Sequence, residues 1–188
     1  MNLKSPLVIL AGGLILIGLV LMSTYNGLVT KGQQVDAQWA QVETQYQRRF
    51  DLIPNLVETV KGYFKQEQDV FGQIAEARTR YSGAATPSEK AQAATGVESA
   101  LGRLLVIIEN YPDLKSNQTV LGLMDELAGT ENRVSVERKK YNDLVRDYNT
   151  TVKKFPTMFI AQLFGFGDKA YFEAAEAAEA APTVKFSE

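Results

Sequence analysis

The stretch VDAQWAQVETQYQRRFDLIPNLVETVKGYFKQEQDVFGQIAEARTRY, residues 35–81, decides the fold class. Alternate steps of four and three visit Val35, Trp39, Val42, Tyr46, Arg49, Ile53, Leu56, Val60, Tyr63, Glu67, Val70, Ile74, Ala77 and Tyr81. Twelve of these fourteen positions are apolar or aromatic. That 3.5-residue repeat belongs to a long helix presenting one seam to a partner, whereas a half-buried strand would alternate. Pro54 lies inside the run. It removes a backbone donor and crowds the preceding turn, which predicts a bend near residues 50–53. Because the heptad phase continues past the proline, the expectation is one bent helix reaching Tyr81.

Gly83 closes that helix, and Thr86-Pro87-Ser88-Glu89 opens the next. Threonine caps, proline suits the first helical position, and a glutamate three residues on completes a capping box. This second helix is expected to reach about Asn110, with Val97, Leu101, Leu104, Leu105 and Ile108 facing inward. Tyr111-Pro112-Asp113 stops it, since the residue before proline is pushed out of helical geometry. A third helix starts near Asn117 and carries the heptad Val120, Met124, Leu127, Glu131, Val134, Arg138, Tyr141, Val145, Tyr148, Val152 and Phe155, apolar at nine of eleven positions. Pro156 ends it. Asp168 is expected to cap a short Ala/Glu helix to about Ala180, with Pro182 and a loose tail beyond.

The fold class is therefore all-α, an antiparallel three- to four-helix bundle with coiled-coil-like packing. An up-down-up arrangement is the simplest. It leaves the long third helix overhanging the second, so that its end needs the C-terminal aromatic segment or another copy of the chain.

Before the heptads, residues 5–30 carry no charge and residues 6–22 form an unbroken apolar run. Extended to Leu28 the run measures ~33 Å at about 1.5 Å per residue, enough to cross a bilayer. Pro6, Leu10, Leu14, Leu16, Leu19 and Met22 mark the anchor, and Tyr25 stands where an interfacial aromatic belongs. A cleaved signal peptide is the rival, but the exit Leu21-Met22-Ser23-Thr24-Tyr25 lacks a small-x-small cleavage site. The domain layout is then an anchor over 1–30, a bundle over 31–167, and a short helix with its tail over 168–188. Lys4 and the α-amino group before the run, against Lys31 after it, favour a cytoplasmic N-terminus.

The composition excludes much. Histidine and cysteine are both absent, which removes the commonest general base, the commonest metal ligand and every disulfide. A net charge of −2 does not suit a nucleic-acid binder. No catalytic residue, cofactor or metal is expected.

Arg49, Glu67, Glu131 and Arg138 interrupt the heptads. Di-iron bundles place carboxylates similarly but need Glu-x-x-His pairs, so ion pairs that set register or oligomer state are the expected role. Counting levels along an up-down-up bundle separates Glu131 from Arg49 within one chain, so their pairing is expected between chains. Arg133, Arg138, Lys139, Lys140, Arg146, Lys153 and Lys154 outnumber the neighbouring acids and could meet anionic lipid or an acidic partner; a solvated helix face is the simpler explanation. Phe159, Ile160, Leu163, Phe164 and Phe166 are the densest apolar cluster after the anchor. They are expected to dip into a bilayer, cover a neighbouring subunit, or cap the bundle's open end.

Residues 48–63, RRFDLIPNLVETVKGY, resemble the signature of the LemA family. So do Tyr111-Pro112-Asp113-Leu114-Lys115, residues 126–133, Tyr141-Asn142, Tyr148-Asn149, Phe155-Pro156 and Leu163-Phe164-Gly165-Phe166. The resemblance runs from about Tyr25 to Phe186. It implies a single-pass bacterial inner-membrane protein with an antiparallel helical bundle, and it brings no catalytic residues. It also implies the large domain in the cytoplasm, opposite to the charge balance. The expected function is a membrane-anchored helical scaffold that self-associates and organises or remodels the membrane. The expected partners are lipid, further copies of the chain and another envelope protein, without nucleic acid. An adaptor recruiting a protein in signalling or envelope stress is the alternative.

Overall fold

The computed structural model describes residues 6–64 and 68–172. Among these, every regular element is helical: α1 (Pro6–Lys61), α2 (Gln68–Gly83), α3 (Pro87–Glu109), α4 (Pro112–Lys115), α5 (Gln118–Lys153) and α6 (Thr157–Phe164). The chain divides into two compact units. The first joins residues 1–38 to residues 140–169, and the second joins residues 39–139 to the segment from Ala170. Glu67 and the expected Ala/Glu helix beyond Phe172 lie outside the described residues.

The second unit is a four-helix bundle. Its helices are the C-terminal part of α1, then α2, α3 and the N-terminal part of α5. The single bent helix expected to reach Tyr81 is corrected here: α1 stays helical through Pro54 and stops at Lys61. Gly62 and Tyr63 turn, with the Tyr63 N–H donating to the Val60 carbonyl at 3.0 Å. Glycine disfavours a helix interior by about 1 kcal/mol relative to alanine. Reversal there also lets α2 fold back on α1, so that Tyr81 meets Tyr46 at 5.5 Å and Phe50 at 4.6 Å between ring centroids.

The heptad still identified the buried seam of both arms, from Val42 and Ile53 to Leu56, Val70, Ile74 and Tyr81. It fails at Tyr63, which is exposed. Phe64 is buried in its place, its ring 5.5 Å from Phe71 and 5.1 Å from Tyr111. A hairpin whose turn preserves phase writes the same apolar pattern as one helix. Periodicity cannot separate the two.

α3 begins as expected. The Glu89 N–H donates to Thr86 Oγ1 at 3.2 Å, and the N–H groups of Ala85 and Thr86 donate to Glu89 Oε2 at 2.8 and 3.0 Å. Those two backbone donors hold the Glu89 carboxyl below the usual carboxylate range. Val97, Leu101, Leu104 and Ile108 are buried, and Leu105 is half-buried at the edge. α3 is long and apolar enough to cross a membrane, but its apolar face forms the bundle core. After the short α4, Asn117 starts α5 by accepting the N–H of Thr119 at 2.9 Å.

The first unit pairs residues 7–38 of α1 with the end of α5, and α6 follows. Leu28 and Val35 are fully buried, as are Val145 and Tyr148 on the α5 side. Gly32 is where the two helices approach: a Cβ there would stand 3.7 Å from the Tyr148 ring. Lys31 pairs with Asp147 at the same level. The part of α5 expected to overhang is thus covered by its own chain.

Candidate functional site

Two features stand out once the cores are assigned: an ionic cluster around a buried arginine in the second unit and a continuous apolar surface in the first. The cluster is centred on Arg49, which is only 7% exposed. Its guanidinium pairs with Glu131 and lies 4.0 Å from Glu98 Oε1. Arg138 reaches the same Glu98 oxygen at 3.6 Å, and the Tyr46 hydroxyl donates to it at 3.1 Å. Two arginines and two glutamates balance in charge, which offsets the burial of Arg49. Phe172 covers the group, with the Arg138 guanidinium 4.1 Å from its ring centroid and the Tyr46 ring stacked on it at 6.2 Å. Burial, reinforced by the Glu98 carboxylate, pushes the Tyr46 hydroxyl well above the ordinary phenol range. Burial does the same for Tyr81, with Glu43 adding to it.

This overturns the expectation that Arg49 and Glu131 meet only between chains. The expectation rested on three alternating helices. The extra hairpin at Gly62 adds a fourth, so α5 runs antiparallel to α1 and Glu131 comes level with Arg49 in the same chain. Glu98, the shared acceptor, escaped the sequence reading because it sits beside the α3 seam and not in it. Arg49 Nε, Gln45 Oε1 and the Tyr81 hydroxyl are buried without a hydrogen-bond partner among the described residues. Among those residues no group of three or more carboxylates is arranged to hold a metal ion.

The apolar surface begins with α1. Pro6 opens the helix, and Leu10, Leu14, Leu16, Leu19 and Met22 are all exposed. Tyr25 ends the run and packs edge-on against Phe164 at 5.0 Å and Phe166 at 5.5 Å. α6 continues the surface. Ile160 and Ala161 are buried, Phe166 is half-buried, and Phe159, Leu163 and Phe164 stay exposed. Pro156, Phe159 and Ile160 share a wholly apolar groove with Leu16, Ile17, Val20 and Leu21.

Gly165, in the left-handed conformation with φ 75°, turns the chain back after α6. Asn149 then clamps the returning strand of chain: its side-chain amide donates to the Lys169 carbonyl at 2.9 Å and accepts the Lys169 N–H at 2.8 Å. The Lys169 ammonium bonds Asp36 at 2.5 Å and lies 5.7 Å from the Tyr148 ring centroid. Burial, followed by the nearby Asp36 and Asp168 carboxylates, raises the Tyr148 hydroxyl above its ordinary range.

A sequence profile of the LemA family matches residues 38–186. The chain belongs to the LemA family. Magnetosome protein MamQ 2 of Paramagnetospirillum magneticum is 27% identical over 179 residues, covering 81% of this chain and 66% of the relative. Magnetosome protein MamQ of Magnetospirillum gryphiswaldense is likewise 27% identical, over 81% of this chain and 65% of its own length. Protein LemA of Metamycoplasma hominis is 22% identical, over 80% of this chain and 69% of the relative. The chain thus spans just under two-thirds of the length of the magnetosome relatives.

In this LemA chain the stretches that carried the resemblance are the joints of the fold. Residues 48–63 supply Arg49, and residues 126–133 supply its partner Glu131. Tyr111 meets Phe64 at the far turn of the second unit. Asn149 holds Lys169, and Phe164 and Phe166 meet Tyr25. The paired use of its amide also explains Asn149 without a sugar, although Asn149-Thr150-Thr151 matches a glycosylation pattern. Arg133, Lys139, Lys140, Arg146, Lys153 and Lys154 are exposed; of these, Arg146 pairs with Asp143 at 2.9 Å and Lys153 with Asp168 at 2.6 Å.

Proposed function

We propose that this LemA protein is a membrane-anchored helical scaffold that works by holding and arranging partners at a bilayer, without catalysis. The observation that carries the reading is the unbroken apolar surface of α1 from Leu7 to Met22, every long side chain of which is exposed. Hydrocarbon is the solvent that such a surface fits. The ionic cluster supports the non-catalytic part, because its charges are spent on one another beneath Phe172. Histidine and cysteine are absent from the whole chain, so the commonest general base and the thiol nucleophile are missing as well.

Self-association within an inner membrane belongs to this reading. Its support has narrowed, since Arg49 and the end of α5 find partners in their own chain. Reconstitution in vesicles followed by amine-reactive cross-linking tests it. The expected result is a ladder of discrete oligomers at micromolar protein, and a strictly monomeric pattern removes the self-associating scaffold. The adaptor alternative draws on the exposed basic residues of α5 and of the turn that follows it. Charge reversal at Lys139, Lys140 and Lys154 should abolish capture of a protein partner from solubilised membranes; unchanged capture removes that face.

A further inference from the structure

We propose that α6 is inserted in the bilayer beside the anchor, in the leaflet on the Leu28 side, so that the chain grips the membrane with two elements. The inference rests on reading residues 6–28 as membrane-spanning and goes beyond it. Its starting point is depth. α6 shares its groove with Leu16, Ile17, Val20 and Leu21, which precede Leu28 by seven to twelve residues. At about 1.5 Å per residue that is roughly 10–18 Å along the axis, against a hydrocarbon thickness of about 30 Å. If Leu28 marks the boundary, α6 lies at the level of the inner part of the leaflet on the Leu28 side and reaches about the midplane at its deepest neighbours, Leu16 and Ile17.

The chemistry of the segment fits that placement. Residues 155–167 carry no charge, while Lys153 and Lys154 precede them and Asp168 and Lys169 follow. Charges at both ends and none between is how a segment enters and leaves hydrocarbon. Bilayer interior also forbids open backbone groups. At the start of α6 the N–H groups of Met158 and Phe159 donate to the carbonyls of Lys154 and Pro156, at 2.8 and 3.2 Å. At its end the Phe166 N–H donates to the Ala161 carbonyl at 2.8 Å and the Gly165 N–H to that of Gln162 at 3.4 Å.

The outward face also favours lipid over water. Leu163 is 75% exposed, and Phe155, Phe159 and Phe164 are all more than half exposed. This patch continues the lipid-facing surface of α1 without a polar break in the groove between them. Gln162 is the one long polar side chain on α6, one turn before the chain returns to Tyr25 and the charged pair Asp36–Lys169. An eight-residue helix is far too short to span. It therefore occupies volume mostly in one leaflet, which gives the scaffold a means of acting on lipid packing.

The chain contains no cysteine, so single labelling sites are clean. Full-length Leu163→Cys, Leu14→Cys and Val136→Cys would each carry an environment-sensitive fluorophore in phosphatidylethanolamine–phosphatidylglycerol vesicles. The quenchers are iodide in the water and nitroxides on the lipid tails. Lipid quenching at Leu163 comparable to that at Leu14, with iodide quenching confined to Val136, is the expected result. Iodide quenching at Leu163 with lipid quenching at Leu14 overturns the insertion of α6 but leaves the anchor intact. Iodide quenching at both overturns the anchor as well. Shielding of Leu163 from both quenchers, with disulfide cross-linking between unlabelled Leu163→Cys copies, assigns the face to a second chain and also overturns the proposal.

Discussion

Leu16 and Leu56 belong to the same helix, yet Leu16 is 65% exposed and Leu56 is fully buried. The contrast extends to the units that hold them. The first keeps its polar chemistry in a few joints, Lys31–Asp147 and Asp36–Lys169, and displays leucine, isoleucine and phenylalanine. The second buries Leu56, Leu101, Leu104, Leu114 and Leu127 and also hides charge, at Arg49. One backbone geometry thus serves two environments. What differs is the width of the apolar surface: all round the helix near Leu16, and a single seam near Leu56.

Equal truncations should separate the two environments most sharply. Leu56→Ala removes close-packed atoms and should cost about 2–5 kcal/mol in denaturant unfolding of the detergent-solubilised chain. Leu16→Ala removes the same atoms from the exposed surface and should stay within about 0.5 kcal/mol. A polar probe should reverse that order. Leu14→Arg should leave bundle unfolding nearly unchanged while costing about 2.5–3.5 kcal/mol in membrane insertion, read as the membrane-inserted fraction of a translated chain.

The ionic cluster offers a smaller effect. Glu98→Ala strips Arg138 and Tyr46 of their shared acceptor and weakens the surroundings of Arg49, so a loss of about 2–3 kcal/mol is expected in unfolding midpoints. Because Glu98 is not the closest partner of Arg49, a loss matching Glu131→Ala would recentre the cluster. Removing the α3 cap by Thr86→Ala should cost about 1 kcal/mol. A double-mutant cycle with Glu89→Ala should show the two losses overlapping, since they share one capping box.

The mildest effect is alkaline. Tyr46 and Tyr81 have folded-state pKa values raised above the unfolded value of about 10, so their contribution is full below that pH and is lost as pH rises above it. Unfolding midpoints should decline above about pH 10, and the decline should be shallower in Tyr81→Phe.

Much of this was legible in residues 35–81 and 120–155, because buried seams repeat at 3.5 residues whatever the chain does at its turns. The capping box at Thr86 was legible for a similar reason: it is local chemistry, complete within four residues. The hairpin at Gly62 was not. Phase survived the turn, and Pro54 looked the stronger breaker although α1 passes through it. That one miss propagated to the site. With three helices Glu131 looked remote from Arg49, and with four it pairs with it. Glu98 and Asp36 were invisible for another reason, since a carboxylate beside a seam looks like any solvated one until a partner helix is placed opposite. In α6 the apolar cluster was plain, but which of its residues face outward depended on the turn at Gly165.

The central claim is that α1 is one helix in two solvents, and a label scan along it addresses that directly. Single cysteines placed successively from Leu7 to Tyr46 in the full-length chain would carry nitroxide spin labels in bilayers. Collision with oxygen reports lipid, and collision with a water-soluble nickel complex reports water. The account predicts high oxygen accessibility on every face from Leu7 to Met22, except where α6 packs near Leu16–Leu21. Beyond Lys31 it predicts water accessibility that rises and falls with the helical period. Nickel accessibility throughout residues 7–22 would contradict it.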